Sequence, residues 1–299
     1  MRFLPDKPRR LLSLAGVLAL IVAGEVWYRH WSPTHSLDTT HYAIRSSAQP
    51  EETRKMADAV EVLHAAYAEV LGGEFPAVRG VHPRLKLNLY RDRAEFRRCN
   101  RGVGWAEAYY LNPKCHAYYA ASEVNPFHWM LHEAVHQLNH EVAGMKVARW
   151  FDEGLGEYFG TSRLQNGKLL LGRPDPNTYP IWHLDDMQWT GDLAKDIAST
   201  NIIPLRIVVA DKGGPDIDEH FNLYYLHWWS VTHFLMHFQD GKHRAGFFQV
   251  IREGGTSASF EQHIGPFERV EKDWYGHLLE QRKQLYSVPG KRTKGVKRD

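Results

Sequence analysis

The feature that most constrains this chain is His132-Glu133-Ala134-Val135-His136, set after the apolar run Phe127-His128-Trp129-Met130-Leu131 and followed by Gln137-Leu138. In a helix of about 3.6 residues per turn, His132 and His136 project from one face, one turn apart. Two imidazoles at that spacing can meet a single Zn²⁺ at about 2.0–2.1 Å. Glu133, one residue past the first histidine, is placed to act as general base on a metal-bound water. The motif therefore requires a helix here and a third ligand elsewhere in the chain.

Zinc catalysis uses three protein ligands and keeps one position open. The candidate stretch is Trp150-Phe151-Asp152-Glu153-Gly154-Leu155-Gly156-Glu157-Tyr158-Phe159. Sixteen residues lie between His136 and Glu153, enough for the first helix to end, turn and return antiparallel. Glu153 then offers a carboxylate oxygen to the metal. Glu157, one turn on, can accept a ring N–H from a ligating histidine. Gly154 and Gly156 each cost a helix about 1 kcal/mol relative to Ala, which points to another element passing close by. The plain alternative is a solvated acidic pair, poorly served by neighbours such as Trp150, Phe151 and Tyr158. His128 and His140 extend the same i±4 row and are read as solvent-facing or capping residues beside one zinc pair.

The two segments together resemble the gluzincin zinc metallopeptidases. They are similar to the aminopeptidase-N-like branch and, more closely, to exported bacterial members with a small catalytic domain. The resemblance covers roughly residues 40–285, with its specific motifs between 132 and 158. It implies a zincin-like fold and one Zn²⁺ per chain bound by His132, His136 and Glu153, with Glu133 as base and Glu157 orienting a ligand. Tyr225-Leu226-His227-Trp228-Trp229-Ser230-Val231-Thr232-His233 resembles the tyrosine-led helix that follows the third ligand in those enzymes. Tyr225 is thereby the expected oxyanion donor, a role worth roughly 3–4 kcal/mol, with Tyr224 as its neighbouring alternative. An aromatic core helix is the other reading of this segment, and His227 and His233 are expected to be partly exposed.

The chain also departs from the family. Its His-to-Glu spacing is shorter than in the aminopeptidase-N-like enzymes. Gly104-Trp105-Ala106-Glu107-Ala108 matches only in part the Gly-x-Met-Glu-Asn strand whose Glu holds a substrate amine. Glu107 is a candidate amine anchor on that partial match. The strand near Tyr109 or Tyr118 is a candidate for aligning an extended peptide through backbone hydrogen bonds.

Around these motifs the chain reads as α+β: a small mixed sheet in residues 41–125, then a mainly helical part in 126–288. The expected elements begin with a strand at 41–45 and an amphipathic helix from Glu51 to Leu71, whose Met56, Val60, Leu63, Tyr67, Val70 and Leu71 share a face. A strand at Leu85–Tyr90 follows, then a short helix capped by Asp92 and a hairpin turning at Asn112-Pro113. The motif helix runs from Pro126 to about Ala143, with Asn125 as N-cap, and the next from about Val147 to Thr161. A strand over 167–171 leads into residues 172–200, read as mostly irregular. Helices are then expected over 219–238, 244–252, 257–263 and 266–285. Residues 29–40 read as a linker and 289–299 as a basic tail.

With 37 basic against 35 acidic residues, the net charge of +2 gives no nucleic-acid footprint. Arg2, Lys7, Arg9 and Arg10 precede an uncharged stretch from Leu11 to Gly24, and Trp27-Tyr28 follows Glu25. Residues 1–28 thus read as a secretory signal or as a single membrane anchor, with the remainder outside the cytoplasm or in a periplasm. Cys99 and Cys115 suit that compartment as one disulfide, worth about 3 kcal/mol, or as two free buried thiols. The function expected is zinc-dependent hydrolysis of peptide bonds in a peptide or protein substrate. The rival is a non-catalytic zinc-binding envelope protein that uses the same fold as an interaction module.

Overall fold

The computed structural model describes residues 29–286, so the expectations for residues 1–28 and for the basic tail fall outside it. Strands β1 (His35–Asp38), β2 (Tyr42–Ser46), β3 (Leu85–Tyr90), β4 (Tyr109–Leu111) and β5 (Lys114–Tyr118) form one sheet in the order β1-β2-β3-β5-β4. The central strands β2, β3 and β5 run parallel, and the edge strands β1 and β4 are antiparallel to their neighbours. In β2 the alternation places Tyr42, Ile44 and Ser46 inward and leaves Arg45 exposed, as a half-buried strand requires.

β1 corrects the linker reading of residues 29–40: His35–Asp38 pair with Ser46–Ala43. Four residues with a single strong apolar side chain, Leu37, carry too little periodicity to announce a strand. Their pairing partner supplies the information that the segment lacks.

Helix α1 (Pro50–Leu71) buries Met56, Val60, Leu63, Tyr67 and Leu71 completely. Its start is fixed by Glu52, whose carboxylate accepts the backbone N–H of Gln49 at 3.0 Å. Asp92 caps α2 (Arg93–Cys99) by accepting the Glu95 N–H at 2.7 Å. The motif helix α3 (His128–Gln137) passes into a π-turn at Leu138–Val142, and α4 (Arg149–Gly160) follows. N-capping differs from expectation: the cap position of α3 is Phe127, whose N–H is held by the side chain of Asn125 at 3.2 Å.

After α4 the chain forms a hairpin, β6 (Ser162–Gln165) with β7 (Lys168–Pro174). Residues 172–200 are more ordered than their Pro and Asp content suggested, with α5 (His183–Asp186) and α6 (Leu193–Ala198). Helices α7 (Leu205–Ala210), α8 (Ile217–His237), α9 (Arg244–Arg252), α10 (Ser257–His263) and α11 (Phe267–Tyr286) complete the helical part. α3 packs on β5 and β4, and α4 lies between α3 and α8. The main core runs from Tyr42 and Leu87 on the sheet, through Leu131 and Leu155, to Trp228 and Trp274. Thus the sheet-rich and helical parts are two halves of one hydrophobic body, and the chain is α+β. Among the described residues no helix is long and apolar enough to cross a membrane.

Three histidines expected at the surface are interior. His227 has no exposure; its Nδ1–H donates to the Leu223 carbonyl at 2.6 Å, and its Nε2 accepts the Ile203 N–H at 3.1 Å. His233 donates from Nε2 to the Gly172 carbonyl at 3.2 Å and pairs through Nδ1 with His277. Burial pushes His227 down to about 4 and His233 down to about 3, so both are neutral core groups. His128 is also buried. Each satisfies or contacts a distant segment, a relation that spacing within one helix cannot reveal.

The disulfide expectation is also corrected, because Cys99 and Cys115 are both free. Cys115 faces the main core from β5, and its thiol donates to the Glu133 carbonyl at 3.2 Å. Cys99 ends α2 and packs on a separate cluster around Tyr90, Phe96 and Tyr118.

Candidate metal centre

α3 and α4 run antiparallel, as their contacts show: His132 meets Glu157, while His136 meets Asp152 and Glu153. The Nε2 atoms of His132 and His136 are 3.0 Å apart. Glu153 Oε2 stands 3.2 Å from the first and 3.7 Å from the second. Tetrahedral zinc with ligands at 2.0–2.1 Å would set its ligand atoms about 3.3 Å apart. The observed spacings bracket that edge length. Among the described residues these three form the one group of three or more His, Cys, Asp or Glu side chains whose ligand atoms converge within 4.8 Å.

The opposite ring nitrogens are backed by carboxylates. His132 Nδ1 lies 3.2 Å from Glu157 Oε1, and His136 Nδ1 lies 3.1 Å from Asp152 Oδ2. A carboxylate behind Nδ1 holds the proton there and turns the Nε2 lone pair toward a metal. Glu157 takes the orienting position expected of it. Asp152 was named only as part of its segment, because it does not share the Glu153–Glu157 row. Its signal is tertiary: Tyr67 on α1 donates to Asn139 Oδ1 at 2.5 Å, and Asn139 Nδ2 donates to Asp152 Oδ1 at 2.7 Å. Burial alone would raise the Asp152 carboxyl, but hydrogen bonds from His136 and His140 hold it well below the usual carboxylate range. Asp152→Ala should therefore weaken zinc binding by about 10- to 100-fold, measured by competition with a chromophoric chelator.

The donor set suits a divalent cation. Glu133, Asp152, Glu153 and Glu157 surround two imidazoles, and Glu153 Oε2 and Glu157 Oε2 are buried with no well-aligned donor among the described residues. Such oxygens are unfavourable in a low-dielectric interior unless a cation or donor meets them. Two histidine nitrogens and a carboxylate oxygen are ligands that zinc takes readily.

The two glycines of α4 report what lies against it. A Cβ on Gly156 would come within 2.8 Å of the His132 ring, and one on Gly154 within 2.8 Å of the Trp228 carbonyl on α8. The close approach expected from the sequence is thus a ligand ring on one side and a helix backbone on the other.

Glu133 is carried by α3, which packs against the edge strand β4. Burial raises its pKa, and the flanking histidines oppose that shift. Tyr225 places its ring 6.2 Å from that of His132, whereas the Tyr224 hydroxyl is turned away to the Pro215 carbonyl at 2.9 Å. A second phenol, Tyr179, packs 5.7 Å from the Tyr225 ring, and its buried hydroxyl meets no hydrogen-bond partner among the described residues. Sequence reasoning missed it because it lies in the stretch read as irregular.

Two residues considered for substrate binding are engaged elsewhere. Glu107 is held by Arg93 at 2.5 Å and Arg97 at 2.9 Å, and it accepts the Tyr118 hydroxyl at 2.9 Å. A carboxylate so satisfied is not an amine anchor. The Tyr109 hydroxyl donates to Asn100 at 2.6 Å and its ring stacks on His116, so this side chain is also engaged away from the His132, His136 and Glu153 cluster. What β4 offers the site is its backbone. No protein-family model matches the chain, and no curated protein matches it.

Proposed function

We propose that the protein is a zinc-dependent metallopeptidase of zincin-like fold, acting on peptide bonds outside the cytoplasm. The observation that carries this reading is the convergence of His132 Nε2, His136 Nε2 and Glu153 Oε2 at tetrahedral edge distances, with a carboxylate behind each histidine. Bound there, zinc would supply a Lewis acid that polarises the scissile carbonyl and makes water nucleophilic near neutral pH. Glu133 takes the proton of the attacking water and passes it to the leaving amine. A carboxyl whose pKa is raised by burial is suited to such a two-way transfer. Tyr225 donates its hydroxyl to the developing oxyanion. Asp152 and Glu157 keep His136 and His132 oriented throughout.

The edge strand supports a peptide substrate. β4 pairs with β5 on one side only, and it flanks the helix that carries Glu133. An extended chain laid along its free edge would gain backbone hydrogen bonds beside the base. Export rests on the basic and apolar pattern of residues 1–28.

Digestion of a peptide library by the zinc-loaded chain tests the proposal. Cleavage should stop with a chelator and return on adding zinc, and the cut positions distinguish an endopeptidase from an aminopeptidase. Stoichiometric zinc with no cleavage of any peptide would instead support a non-catalytic zinc-binding module.

A further inference from the structure

A cavity of about 160 Å³ opens beside the metal ligands, and Glu153 and Tyr225 form part of its wall. The rest of the wall is mainly aromatic and aliphatic: Trp105, Ile217, Phe221 and Trp228. Trp105 comes from the turn before β4 and Phe221 from the first turns of α8, so the two halves of the molecule meet across it. Their rings stack at 5.0 Å with 21° between planes. On the inner side Tyr225 and Trp228 pack edge to face at 5.1 Å. Trp228 is almost wholly buried, and its indole N–H meets no acceptor among the described residues.

We infer that this cavity is a side-chain subsite that selects a peptide carrying a ring-sized apolar residue, phenylalanine above all, next to the scissile bond. The inference rests on the metallopeptidase reading and adds a substrate class to it. Size supports it: an apolar protein cavity of about 150 Å³ is known to hold a benzene ring. Position supports it too, since sharing Glu153 and Tyr225 with the metal centre puts any occupant within a residue of the reacting carbonyl. The charges at the cavity do not argue for an ionic side chain. Arg149 is paired with Asp211 at 3.4 Å, and Asp218 lies in the N-terminal turn of α8, where a carboxylate complements the helix dipole. Trp105, by contrast, is 57% exposed, so its indole keeps apolar surface accessible to an occupant beyond what Phe221 covers.

The test is binding of two otherwise identical unlabelled peptides, one with phenylalanine and one with alanine at the variable position. They would be titrated calorimetrically into the zinc-loaded Glu133→Gln full-length chain, placing the variable residue on either side of the central bond in turn. In one of the two placements the phenylalanine peptide should bind at least about tenfold more tightly. That ratio should fall toward one in Trp105→Ala and in Phe221→Ala, with zinc content and circular dichroism confirming that each variant is folded. Equal affinity for both peptides in both placements, or a preference untouched by either variant, would overturn the subsite. Peptide cleavage by the unmodified chain, assayed in parallel, separates this from the wider reading. Cleavage without side-chain preference removes the subsite alone. Preferential binding without cleavage keeps the subsite and removes the peptidase. Neither binding nor cleavage removes both.

Discussion

Glu133→Gln is expected to keep one zinc per chain and to lose peptide hydrolysis by about 10²–10⁴-fold, the usual contribution of a positioned general base. Glutamine preserves the shape and volume of the side chain, so the helix and its histidines have no reason to move. What disappears is the ability to take a proton from water and return it to the leaving amine. The expected signature is therefore a fall in kcat with little change in KM, read from steady-state kinetics alongside zinc analysis. A variant that retained full activity would remove Glu133 from the mechanism.

Gly156→Ala should be nearly as damaging, although Gly156 has no side chain to offer the site. Its added methyl would lie 2.8 Å from His132 Cε1, 2.9 Å from Nδ1 and 3.1 Å from Nε2. The ring is already held by Glu157 behind Nδ1 and by Tyr225 alongside, so it escapes the methyl only by abandoning its orientation. Overpacking of this kind costs about 1–3 kcal/mol of stability. A misdirected ligand should lower zinc affinity by roughly 10- to 100-fold or more, by analogy with loss of an orienting partner. Gly73→Ala is the matched control, because a Cβ there meets nothing within 4 Å. Thermal unfolding with and without zinc should show a loss of metal-dependent stabilisation in Gly156→Ala only.

The legible parts of this fold were those with a local code. The amphipathic period of α1, the strand position of β3 and the cap at Asp92 all appear where the residues put them. So does the helical spacing of His132 and His136, and Glu153 joins them because the sixteen residues between His136 and Glu153 let α3 end and α4 return along it. β3 is not the half-buried strand its alternation predicts, however: Asn88 and Tyr90 are buried too and only Lys86 is exposed. Features set by distant partners were not legible. β1 exists because β2 offers it an edge, and Asp152 matters because Asn139 and Tyr67 fix it from another helix. His128, His227 and His233 are buried because the surrounding helices close over them. Glu107 fell to two arginines on α2, a pairing set by the fold rather than by the short motif around it. The cysteines were separated for a related reason: they sit on different clusters, which pairing by number cannot foresee.

Zinc content tests the central claim most directly. The full-length chain, purified, incubated with excess zinc and dialysed, should carry one equivalent by atomic emission. Glu153→Ala and His136→Ala, treated identically and shown to be folded by circular dichroism, should carry far less. Absence of stoichiometric zinc from the unmodified chain, or undiminished zinc in both variants, would contradict the assignment of His132, His136 and Glu153 as a metal centre.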